Sequence, residues 1–77
     1  MTGEYGMRLL KLGGRAIAVK YDGTWLYVDM EEGTVEEMQD LEDVLKRHFG
    51  DSYMGHFEWS NYVLVKLDGG KTLRLGP

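Results

Sequence analysis

The sequence predicts an α+β fold: one small domain with a mostly antiparallel sheet and a single helix packed across one face. Three observations carry this reading. Short runs rich in Leu, Ile and Val are divided by Gly-Gly and Asp-Gly pairs, which supply the positive φ angles of tight hairpins. One central stretch changes its apolar period from two residues to 3.6. A chain of 77 residues also suffices for one thin core and not for two.

The elements follow in order. Met7 to Leu12 and Arg15 to Tyr21 read as antiparallel strands joined at Gly13-Gly14. Asp22-Gly23 turns the chain into Thr24 to Met30, where Leu26, Val28 and Met30 alternate with Trp25, Tyr27 and Asp29. Thr34-Val35-Glu36-Glu37 then has the form of a capping box, the Thr34 hydroxyl accepting from the Glu37 amide while the Glu37 carboxylate reaches back. The spacing predicts a helix over 35–49, with Met38, Leu41, Leu45, His48 and Phe49 in one arc and Gly50 as its cap. Phe57 to Leu67 alternates again as one strand bent at Asn61, and Asp68-Gly69-Gly70-Lys71 turns into a last strand, Thr72 to Leu75. The expected order is βββαββ. Residues 1–6 and 76–77 are expected to fray, and Met7 is an alternative start.

Composition removes several classes of function. Without cysteine there is no disulfide frame, thiolate zinc site, iron–sulfur cluster or cysteine nucleophile. No apolar run reaches the roughly 18 residues of a membrane span, and Met1 to Arg8 lacks the apolar stretch of a signal peptide, so a cytoplasmic protein without a membrane partner is expected. Asp29-Met30-Glu31-Glu32-Gly33 resembles a calcium loop only superficially, because its glycine is one place early and Asp40 stands where a bidentate Glu belongs. Gly50-Asp51-Ser52 follows a helix rather than a strand, which does not suit a serine nucleophile. His48 and His56 share no ligand spacing, and His48, on the edge of the apolar arc, reads as a core histidine. No catalytic residue, metal or cofactor is assigned, and the expectation is a protein that is not an enzyme.

The charge layout is more informative. The net charge of −4 conceals a segment, residues 29–43, with eight carboxylates and no Lys or Arg, while the remaining nine basic and five acidic residues leave +4. On a helix over 35–49, Glu36, Asp40 and Asp43 line up opposite the apolar arc, about one carboxylate every 5–6 Å. Much of this pattern also suits the helix dipole and i,i+4 pairing. For the sheet, assigning Ile17, Val19, Leu26, Val28, Val63, Val65 and Leu73 to the helix side leaves Trp25, Tyr27, Tyr62 and Leu64 together on an open face.

The expectation for function is a small non-enzymatic protein-binding module. Its specific form is an inhibitor or adaptor whose acidic segment, through Asp29, Glu31, Glu32, Glu36, Asp40 and Asp43, blocks a basic groove of a nucleic-acid-handling protein, as nucleic-acid mimics of phages and mobile elements do. The alternatives are single-stranded nucleic acid stacked on Trp25, Tyr27 and Tyr62 with Arg8, Lys20, Lys66 and Arg74 on its backbone, or a homodimer burying that face. Overall acidity argues against nucleic acid.

Overall fold

In the computed structural model, which describes residues 8–77, the Gly13-Gly14 and Asp22-Gly23 turns close their hairpins in the left-handed region, with Asp22 at φ 54° and Gly23 at φ 81°. They link β1 (Arg8–Gly13), β2 (Ala16–Tyr21) and β3 (Thr24–Asp29) into an antiparallel meander. The expectations for residues 1–6 and Met7 lie outside the described residues. The fold is α+β with one helix and antiparallel strands throughout, in the order ββββαβββ. Seven strands replace the expected five.

The first added strand is β4 (Thr34–Met38), which pairs with β3 as Val28 opposite Val35 and Asp29 opposite Thr34. Its turn is built by Asp29, whose Oδ1 accepts the amides of Glu31 (3.0 Å) and Glu32 (3.1 Å), and by Gly33 at φ 74°. Such an Asx turn offers the backbone an alternative to a helical start. The capping box at Thr34 is therefore not made. The helix α1 (Leu41–Phe49) starts six residues later than expected, where Asp40 Oδ1 accepts the Asp43 amide at 3.0 Å. Gly50, at φ 63°, donates its amide to the Lys46 carbonyl and ends it.

The second added strand comes from the 57–67 run. It folds as a hairpin rather than one bent strand: β5 (Tyr53–Glu58) and β6 (Val63–Leu67) meet across Ser60-Asn61, with the Trp59 amide donating to the Tyr62 carbonyl at 2.9 Å. With β7 (Lys71–Leu75) they form a separate three-stranded sheet. Two polar residues in an otherwise alternating run are enough for a two-residue hairpin loop. The sheets meet where Lys11 N–H donates to the Gly76 carbonyl at 2.8 Å.

One apolar cluster draws on both sheets and the helix. Leu41, Val44 and Leu45 come from α1, Val63 and Val65 from β6 and Leu75 from β7. From the first sheet the cluster takes Leu10, Leu12, Ala16, Ala18, Trp25 and Tyr27, the face opposite to the one expected. Trp25 is only 4% exposed and Tyr27 5%. Ile17, Val19, Leu26 and Val28 face outward, and on β7 the buried residue is Leu75 while Leu73 is exposed.

Pairing register explains the reversal. Leu10 lies opposite Ala18, and Ala18 opposite Tyr27, so β1 contributes both Leu10 and Leu12 to the aromatic side. Lys11 lies opposite Ile17 and Glu37 opposite Leu26, so the aliphatic side carries a charge at each end. Small alanines on β2 also leave room for large rings on β3, the interdigitation that dense packing requires.

Two stability measurements check this account. Asp40→Ala should destabilise by about 1 kcal/mol as a lost N-cap, while Thr34→Ala stays within about 0.5 kcal/mol, both read from urea melts. Leu45→Ala, in the centre of the buried helix face, should cost about 2–4 kcal/mol. A larger loss for Thr34→Ala than for Asp40→Ala would move the helix start back to the earlier position.

Candidate functional site

The β5–β7 sheet buries Val63 and Val65 and turns its other face outward. Alternation along β5 and β6 places Phe57, Tyr62, Leu64 and Lys66 on that face, with Arg74 opposite Leu64 and Thr72 opposite Lys66. Phe57 is 53% exposed and Trp59, just past the strand, 51%. These are large rings to leave in water.

The rings and cations are interleaved. Trp59 stacks on Tyr62 with centroids 6.0 Å apart and planes at 23°. The Arg74 guanidinium lies 4.2 Å from the Tyr62 ring centre, and Lys66 Nζ lies 5.2 Å from that of Phe57. Each cation thus lies against an aromatic face, a contact worth about 0.5–1 kcal/mol when exposed. No carboxylate occupies these cross-strand rows among the described residues, because Glu58 points to the other side and pairs with Arg8 at 3.0 Å. Arg8 also donates to the carbonyls of Trp59 and Tyr62, which anchors the hairpin carrying the stacked pair to the first sheet.

The residues assigned from the sequence fall in several places. Tyr62 and Leu64 lie on the outward face, half-buried. Trp25 and Tyr27 are core residues and cannot stack a base or meet a second copy. Arg8 is occupied by the hairpin, and Lys20 lines a separate cleft. Phe57 and Trp59 were missed because their strand was read without its turn. Their signal was present, since Phe57-Glu58-Trp59 followed by Tyr62 places aromatic residues on one side of a hairpin.

The expected acidic stripe is not formed, because Glu36 stands on β4 and only Asp43 is a residue of α1. Glu36 pairs with Arg47 at 3.1 Å, Asp40 caps the helix, Asp29 builds the turn and Glu42 pairs with Lys46 at 3.0 Å. Half of the segment's eight carboxylates thus have a local structural partner. Glu31, Glu32, Glu37 and Asp43 stand exposed.

An open cleft of about 380 Å3 lies between the β2–β3 turn, the start of α1 and β5. Lys20, Asp40, Glu42, His56 and Glu58 line it. Its lining brings no hydroxyl or thiol nucleophile. His56 Nδ1 lies 2.7 Å from the Tyr53 hydroxyl, and among the described residues no three His, Asp or Glu side chains are placed to hold a metal ion. No helix among them is long and apolar enough to cross a membrane. Neither protein-family models, curated proteins nor solved structures match this chain.

His48 is half-buried, with Nδ1 3.0 Å from the Tyr27 hydroxyl and its ring edge-on to Phe49 at 4.7 Å. Burial pushes the Tyr27 hydroxyl above its ordinary range, so it keeps a proton to donate to the neutral imidazole. Burial likewise pushes His48 below its ordinary value; a Leu12 backbone hydrogen bond opposes this and the Arg47 charge adds to it. The unfolded chain, with His48 near its ordinary value of about 6.5, then binds more protons than the native state in the window just below. The His48 contribution is fully present above about pH 6.5 and is lost as pH falls from there through the native value. Urea melts across that window should show stability falling toward acid, and His48→Gln should flatten this part of the profile.

Proposed function

We propose that the protein is a non-catalytic module that binds another protein, and that the outward face of the β5–β7 sheet is its contact surface. The observation that carries this is the exposed pair Phe57 and Trp59 beside the half-buried Tyr62, with Lys66 and Arg74 laid against the rings. Trp, Tyr and Arg are the residues that dominate interface energetics, each anchor costing about 2 kcal/mol or more when truncated. Exposed carboxylates such as Glu31 and Glu32 are worth about 0–1 kcal/mol per pair. The aromatic face therefore outranks the acidic segment, although that segment remains a route to a partner with a basic groove. The cationic rim favours a ligand that is apolar at its centre and acidic at its edge.

A second reading has the same face binding single-stranded nucleic acid, because stacked rings with interleaved cations are what such ligands use. Two considerations lower it. Only Lys66 and Arg74 are available across the cross-strand rows to neutralise phosphates, and the chain carries −4 overall, which repels a polyanion.

Capture of partners from a lysate of the source organism separates these readings. The immobilised parent should retain a protein that the double variant Trp59→Ala, Arg74→Glu loses, with the same far-UV spectrum in both. Reversal of Glu31, Glu32, Glu37 and Asp43 to Lys should leave capture intact, and the opposite pair of results transfers the site to the acidic segment. Trp59 fluorescence should not respond to an oligothymidine. A salt-sensitive quenching by that probe would instead favour nucleic acid.

A further inference from the structure

The first sheet has a second apolar face. Leu9, Ile17, Val19, Leu26, Val28 and Val35 all point away from the core, and none belongs to the central cluster or packs against it. Val35 is 61% exposed and the other five are half-buried. The helix, the second sheet and the core all lie on the opposite side. Among the described residues, no element covers this face.

Its layout is self-complementary. Leu9, Val19, Leu26 and Glu37 form one cross-strand row, and Lys11, Ile17, Val28 and Val35 form the next. Lys11 and Glu37 thus occupy diagonally opposite corners, with the aliphatic side chains between them. Two copies laid face to face, related by a two-fold axis perpendicular to that diagonal, set Lys11 of each over Glu37 of the other. The aliphatic side chains then meet across the centre.

From this arrangement we propose that the protein pairs with a second copy of itself through the outer face of the β1–β4 sheet. Edge-to-edge pairing is disfavoured on both sides. Antiparallel pairing of β4 with its own copy about its central residue, Glu36, would oppose like charges, and on the β1 edge the Lys11 amide is already bonded to Gly76. Four strands of five or six residues span roughly 19 by 20 Å, which makes the contact a weak, reversible dimer rather than an obligate one. This surface is independent of the aromatic face on the other sheet.

Sedimentation equilibrium of the full chain from about 5 to about 500 µM tests it, a range suited to a contact of this size. The parent should shift from monomer to dimer with concentration. Lys11→Glu and Glu37→Lys, both at exposed positions, should each raise the dissociation constant by about 5-fold or more, and the double reversal should return it to within about 3-fold of the parent. Trp59→Ala should leave it unchanged. A parent that stays monomeric throughout overturns the proposal. So does a dimer that ignores both charge reversals, or one that disappears with Trp59→Ala.

Discussion

The choice of which side of the first sheet becomes the core governs everything else in this molecule. Trp25 and Tyr27 go inward because Ala16 and Ala18 make room for them, because Leu10 and Leu12 share their side, and because His48 waits at hydrogen-bond distance from the buried phenol. A Tyr buried without a partner would pay for the desolvation of its hydroxyl, so the His48 contact is part of what makes this side acceptable. The helix then has to bring Val44 and His48 to the same place, which fixes how it crosses the strands.

That choice also distributes the charges. Glu36 lands on the core side at the edge strand, where Arg47 of the helix can reach it and lie 5.0 Å from the Tyr27 ring centre. Asp29 and Asp40 are used at the two ends of the link between β3 and the helix, one to turn the chain and one to start α1. A segment that looks in one dimension like a continuous acidic stripe is in three dimensions a turn, an edge strand and a helix cap. Its remaining charge is spread over those elements instead of aligned on one.

Two unlike surfaces remain outside the core. The second sheet displays rings held against cations, a surface that suits a ligand of mixed apolar and acidic character. The first sheet displays aliphatic side chains bounded by one charge of each sign, a surface that matches itself. Their difference follows from the strands behind them. In the β5–β7 sheet Val63 and Val65 face inward and Phe57 and Tyr62 outward, whereas in the β1–β4 sheet Trp25 and Tyr27 face inward and Ile17, Val19, Leu26 and Val28 outward.

The local chemistry of this chain was legible from its sequence. Glycine and Asp-Gly turns, the apolar arc around Leu41 and Leu45, the Gly50 cap and the α+β class all depend on interactions between residues a few places apart. At residues 34–40 the capping box read at Thr34 gave way to the Asx turn of Asp29 and to the pairing of Val35 with Val28, and the helix is capped by Asp40 instead. The faces of the first sheet were beyond reach for a different reason. Both are apolar, with burial worth about 1.5–3 kcal/mol for each of the aliphatic residues on one and more for each ring on the other, so composition nearly balances. The register of β1, which sets Leu10 and Leu12 on the side of the rings, and the small Ala16 and Ala18 that make room for those rings broke the tie. Register and large-to-small fit between strands are properties of the assembled sheet, and they alone determined which aromatic residues hold the core and which remain to meet a partner.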